Sequence, residues 1–200
     1  ISFWQISPTG DVAPQIDLKI SQPALVDAIS TNATGVSILL SRESGQSLAL
    51  VKAAALDKEV KLGSAKSKFN VIFRATDGST SLFGSSSETL AGKKLAGKVD
   101  GILMKVSKTG SISSVVRSSA SGAMRDWQSA TASNFLTGVV KSGKKIETAI
   151  TKFNSTFTPT WTTRILSTGA SVATSGANSS VFAIFEPTTA LKGVTGWKQV

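Results

Sequence analysis

Asp100-Gly101-Ile102-Leu103-Met104-Lys105-Val106-Ser107-Lys108-Thr109-Gly110 carries four large apolar residues in five positions and then runs into Lys-Thr-Gly. Glycine supplies the backbone conformations that tight turns require, so the stretch reads as a strand that ends in a reversal. Ser111-Ile112-Ser113-Ser114-Val115-Val116-Arg117 follows with no proline. It is rich in β-branched residues and reads as the returning strand of a hairpin.

The first strand of that hairpin has counterparts along the chain. Phe3-Trp4-Gln5-Ile6-Ser7, Leu50-Val51-Lys52-Ala53-Ala54 and Ile150-Thr151-Lys152-Phe153-Asn154 share with Leu103-Met104-Lys105-Val106-Ser107 two bulky or β-favouring residues, a long polar residue, and smaller residues after it. Gln5, Lys52, Lys105 and Lys152 stand 47, 53 and 47 residues apart. A period of about 40–50 residues is that of a propeller blade. A second block recurs as Gly35 to Leu40 running to Gly45, Phe69 to Arg74 running to Gly78, and Asn134 to Val140 running to Gly143. Each reads as a strand closed by a glycine turn. The hairpin turn also recurs, as Pro8-Thr9-Gly10 before Val12 to Ile20.

With these residues the chain resembles the bacterial β-propeller repeat family, whose repeat opens on a strand of the type D-x-F-V-x-K-hydrophobic and passes through x-x-G to three further strands. The resemblance is carried by Asp100 to Gly110 with Asn134 to Gly143, and by Gln5 to Gly45. It implies four-stranded blades, an extracellular or cell-envelope setting, and a binding or scaffolding role. The expected units are 1–47, 48–100, 101–147 and 148–180 with a partial unit 181–200, all in one all-β domain. Unit two is shortened, with 26 residues from Lys52 to Gly78 against 40 from Gln5 to Gly45, so a strand is expected to be missing or short there. Closure is open among a ring made by this chain alone, a homo-oligomer completed by another copy, and blades that belong to a larger assembly. A β-sandwich or irregular β-solenoid of the same strands is the alternative fold.

Composition agrees with β-structure and restricts chemistry. Hydrophobic residues make up 40% of the 200 and charged residues 17%, with 5 prolines. This favours short strands with tight turns over long helices. The absence of cysteine, histidine and tyrosine removes disulfides, thiolate metal sites, the commonest general base and the phenol. The chain opens at Ile1, which reads as a processed or excised product. No apolar run approaches the roughly 18 residues that span a bilayer.

The formal charge is +10. Such a field draws anionic partners, and it is also what a lysine-rich solubilising surface would give. Lys93, Lys94 and Lys98 belong to a basic stretch that runs from Lys52 to Lys108 and includes Lys58, Lys61, Lys66, Lys68 and Arg74. Lysine predominates and aromatics are not interleaved, so the stretch reads first as a solvated surface, with base-specific reading of nucleic acid weakly supported and an anionic glycan, a surface polymer or a protein as the partner class that its charge allows.

Trp4, Trp127, Trp161 and Trp197 read as core or blade-interface residues first, and as stacking platforms for sugars second. Arg125-Asp126-Trp127-Gln128 is the most polar of their settings and the candidate carbohydrate-binding site. The carboxylates read as turn caps, and no catalytic, calcium-loop or phosphate-loop motif appears. The glycine-rich stretch Gly92 to Gly101 reads as a flexible inter-blade loop. The expectation is a non-catalytic scaffold without metal or cofactor that binds a protein or anionic polymer. The alternatives are a carbohydrate-active or carbohydrate-binding module and a self-assembling structural subunit.

Overall fold

The computed structural model describes residues 1–176 and 180–188 and is all-β. Trp197 and most of the expected partial unit 181–200 lie outside the described residues. Two four-stranded antiparallel sheets and one of five strands follow one another along the chain. The first holds β3 (Leu25–Asn32), β4 (Gly35–Arg42), β5 (Gly45–Lys52) and β6 (Ala55–Lys61). The second holds β7 (Ser67–Arg74), β8 (Thr80–Ser86), β9 (Asp100–Val106) and β10 (Ile112–Ser118). The third holds β11 (Met124–Ala130), β12 (Phe135–Ser142), β13 (Lys145–Phe153), β14 (Pro159–Ser175) and β15 (Val181–Pro187). Ahead of them, β1 (Ser2–Phe3) and β2 (Ile16–Asp17) pair as a short ribbon.

Each sheet is a meander whose strands pair in chain order, and the first strands of successive sheets, β3, β7 and β11, lie side by side. That is the arrangement of propeller-like blades, with one inner strand per sheet.

Alternation along the strands explains how the sheets stack. Ile102 and Met104 enter a core with Leu39, Leu48 and Leu50 of the first sheet, whereas Leu103 between them enters a core with Trp127, Leu136 and Phe153 of the third. In the first sheet, Leu40, Ala49 and Val51 turn the other way and bury Leu18, with Phe3 and Ile16 of the N-terminal ribbon packed against them and partly buried. A strand covered on both faces must be apolar at consecutive positions. This accounts for the unbroken Ile-Leu-Met run in β9.

The repeat read from the sequence corresponds to the third strand of each sheet: Leu50-Val51, Leu103-Met104 and Ile150-Thr151 lie in β5, β9 and β13. The expected unit boundaries need correction. Residues 47, 100 and 147 fall within or at the start of β5, β9 and β13, because a sheet begins at its inner strand rather than at the strand with the clearest signature. Unit two lacks no strand. Phe69 to Arg74 is the inner strand β7, and the true counterpart of β4 and β12 is β8, which leads on to Gly92, 40 residues after Lys52.

Candidate functional site

The connections fall at two ends of the stacked sheets. At one end lie the links between second and third strands (43–44, 87–99, 143–144) and those between sheets (62–66, 119–123). At the other lie the links between first and second strands and between third and fourth strands. Cross-sheet contacts fix this assignment. Ser64 and Ser67 bind Glu88 at the first end, and Lys58 Nζ donates to the Thr109 carbonyl at 2.8 Å at the second.

The 87–99 link is the longest between strands among the described residues, and the protein builds it around one ion pair. Arg117 on β10 reaches Asp100 at 3.1 Å, with side chains 7% and 0% exposed. Asp100 also accepts the Ala96 amide at 2.9 Å and the Gly97 amide at 2.8 Å, while Arg117 Nε donates to the Lys93 carbonyl at 3.0 Å and its Nη2 to the Glu88 carbonyl. Burial pushes the Asp100 carboxyl up, and the two amides with Arg117 outweigh it and hold the group below its ordinary value. Glu88 shows the same balance, with burial opposed by Ser67 and Ser64. The expected flexible inter-blade loop is therefore a clamped link inside the second sheet.

The clamp presents lysines. Leu90 and Lys93 bond each other's backbone across a tight turn, with Ala91 and Gly92 at positive φ of 45° and 75°. Lys93, Lys94 and Lys98 are exposed along this link, as are Lys66, Lys141 and Lys144 on neighbouring segments at the same end. The Lys98 amide donates to the Ala123 carbonyl and the Arg125 amide to the Val99 carbonyl, both at 2.8 Å. The two sequence-predicted groups, Lys93-Lys94-Lys98 and Arg125 to Gln128, are thereby neighbours, although 27 positions separate Lys98 from Arg125.

Within the second group the structure corrects the carbohydrate reading. Trp127 is 0% exposed, its indole NH donates to Ser118 Oγ at 3.0 Å, and its ring meets Phe153 edge-on at 5.6 Å. A ring buried between two sheets has no face free to stack on a sugar. Arg125 lies 5.5 Å above the Trp127 ring. Gln128 Oε1 accepts the Ser171 amide at 3.0 Å, which is a structural bond. Arg125, Asp126 and Gln128 line a hollow of about 270 Å³ with Ser85, Val99 and Lys141. Burial pushes Asp126 above its ordinary value, opposed by Ser85, Asn70 and Lys68.

The remaining tryptophans divide. Trp4 is 52% exposed, in a cleft at the second end of the sheets, and Trp161 is 44% exposed beside Phe135. The basic stretch Lys52 to Lys108 is likewise no single stripe. Lys52, Lys58 and Lys108 line the Trp4 cleft, Arg74 is tied to Ser37 and Thr34, and Lys66, Lys93, Lys94 and Lys98 lie at the opposite end. The Arg117–Asp100 clamp was not visible in sequence, because its partners are ordinary residues 17 positions apart.

No family model matches the chain, and a comparison with curated proteins found no match. Among solved structures the chain is similar to a protein of unknown function from Bacteroides caccae, at 8% identity and a TM-score of 0.38 over 78% of this chain. It spans 65% of that chain's length.

Proposed function

We propose that this protein is a non-catalytic binding scaffold that takes an anionic polymer, or an acidic protein surface, against the lysine-bearing end of its sheets. The observation that carries the reading is the Arg117–Asp100 clamp, which holds Lys93, Lys94 and Lys98 outward on an ordered link. Cations fixed on a rigid scaffold lose little entropy when a polyanion docks, and their combined field speeds the encounter.

The carboxylates support a non-catalytic reading because they already serve the fold. The Asp11 carboxylate accepts the Ser7 and Thr9 hydroxyls, Asp77 caps its turn at the Ser79 amide, Glu59 pairs with Arg42, and Asp100 anchors the clamp. An extracellular or cell-envelope setting, where anionic surface polymers occur, suits this role.

Dextran sulfate serves as the probe, with neutral dextran as control. Replacing Lys93, Lys94 and Lys98 by Glu is expected to weaken binding by on the order of tenfold or more. Replacing Lys52, Lys58 and Lys108 by Glu alters net charge equally at the other end and is expected to change binding far less. Equal losses from the two triple variants would reduce the interaction to net charge and refute the assigned surface.

A further inference from the structure

One contact recurs between inner strands. Ser30 Oγ on β3 accepts the Arg74 amide of β7 at 2.8 Å, and Ser129 Oγ on β11 accepts the Ala173 amide in the second half of β14 at 3.0 Å. The second half of β14 therefore stands beside β11 as β7 stands beside β3, in the place of a fourth inner strand. The turn after it agrees. The Ala75 amide donates to the Ser79 carbonyl after β7, the Thr131 amide to the Phe135 carbonyl after β11, and the Gly176 amide to the Ser180 carbonyl after β14, at 2.8, 2.8 and 3.0 Å. So β15 holds the place of a second strand.

The N-terminal ribbon holds the complementary places. Ser7 and Asp11 close the turn between β1 and β2 as Ser107 and Ser111 close the turn between the third and fourth strands of the second sheet. In both, the first residue's amide donates to the last residue's carbonyl, a glycine amide returns to the first carbonyl, and the first serine's Oγ accepts the last amide. Hence β1 and β2 are third and fourth strands. The four strands would make one complete blade, yet among the described residues β15 pairs only with β14 and β1 only with β2.

The uncovered surfaces correspond. Val172, Phe182 and Ile184 form an apolar face 63–77% exposed on the C-terminal hairpin. On β3, Leu25 and Ile29 are 75% and 57% exposed, on an inner strand that among the described residues has a neighbouring inner strand on one side, β7. Between β1 and β3 lies the cleft of about 1410 Å³ lined by Trp4, Ile6, Ile29 and Val36.

We propose that a second copy of this chain fills that cleft: β15 of one copy pairs with β1 of the next, and the second half of β14 lies along β3. One chain carries both halves and leaves them apart, so the contact is head to tail. Two copies close it into eight blades, within the range of known rings. The register follows from the second sheet. Ser81, two residues after Ser79, faces Lys105. Phe182, two residues after Ser180, accordingly faces Gln5, the counterpart of Lys105.

The chain has no cysteine, which permits a clean test. Gln5→Cys and Phe182→Cys chains are mixed and oxidised, the doubly substituted chain is oxidised alone, and native mass is measured by light scattering. The expected results are a disulfide between the two different chains, a wild-type mass twice 20.7 kDa, and a return to 20.7 kDa in Ile184→Lys with unchanged circular dichroism. Ile184 is 77% exposed, so that variant leaves the single chain's core intact. A wild-type mass of 20.7 kDa from micromolar to millimolar concentration would overturn the proposal. So would a cross-link formed only within one doubly substituted chain, or a dimer that gives no Gln5–Phe182 cross-link.

Discussion

Arg117 and Asp100 form an ion pair at 3.1 Å, sealed from water between the body of the second sheet and its longest link. Removing one partner of a buried pair strands the other charge, at a cost of about 3–5 kcal/mol. Arg117→Ala is expected to lose that much in urea unfolding, and amide exchange should rise first in residues 87–99. The Arg117→Ala, Asp100→Ala double variant should be less unstable than the sum of the single losses, because neither charge is then left alone. Asp100 has a lowered folded value, so its contribution is present above about pH 4 and is lost as pH falls through that folded value.

Asp126 has the opposite sign. Burial raises its folded value above the ordinary one, so its contribution to stability is complete below the ordinary carboxylate value and is lost as pH rises through the raised one. Asp126→Asn keeps an oxygen acceptor for Asn70 Nδ2, which lies 3.2 Å away. It is expected to melt above wild type at pH 7, with the difference shrinking towards pH 3. Melting curves across that range check the prediction.

Trp127 and Trp4 should behave as opposites. Trp127→Ala opens a hole between two sheets and removes the indole donor to Ser118, for a loss of about 3–5 kcal/mol. Trp4→Ala, compared in the monomeric Ile184→Lys background, removes a ring that is half-exposed in the single chain and should cost well under half as much. Denaturant titration of both variants makes the comparison, and dextran sulfate affinity should be unaffected in folded Trp127→Ala if the ring is core alone.

Gly84 and Gly138 occupy one role in two sheets. Each pairs with an inner strand at a register shift, Gly84 beside Phe69 and Gly138 beside Trp127. A Cβ at Gly84 would run into the Lys68 carbonyl, and one at Gly138 into the Asp126 carbonyl. Backbone cannot move aside as a flexible side chain can, so either Gly→Ala change is expected to cost about 3 kcal/mol. Gly122, whose Cβ direction is open, still has a φ of 73°, so Gly122→Ala should show only the smaller backbone penalty.

What could be read in the sequence follows from local chemistry. The third strands stood out because β5, β9 and β13 each place a lysine after apolar residues at a near-constant interval, and Thr9-Gly10 and Thr109-Gly110 announce turns that the fold builds alike. Blade boundaries were hidden because β7 and β8 share apolar content and a nearby glycine, and only pairing tells a first strand from a second. Trp127 follows its first reading as a core residue, buried against Phe153, and only its polar neighbours Arg125, Asp126 and Gln128, which line a hollow, suggested the second. Lys93, Lys94 and Lys98 were legible as charge. Their support by Arg117 was not, since it depends on where β10 meets the link.

Amide chemical-shift mapping with dextran sulfate tests the assigned surface most directly. Shifts confined to residues 64–66, 91–98 and 143–145, fading as salt is raised, are the predicted result. Shifts centred on the opposite end, around residues 52–58 and 108–110, or none at low salt, would contradict it.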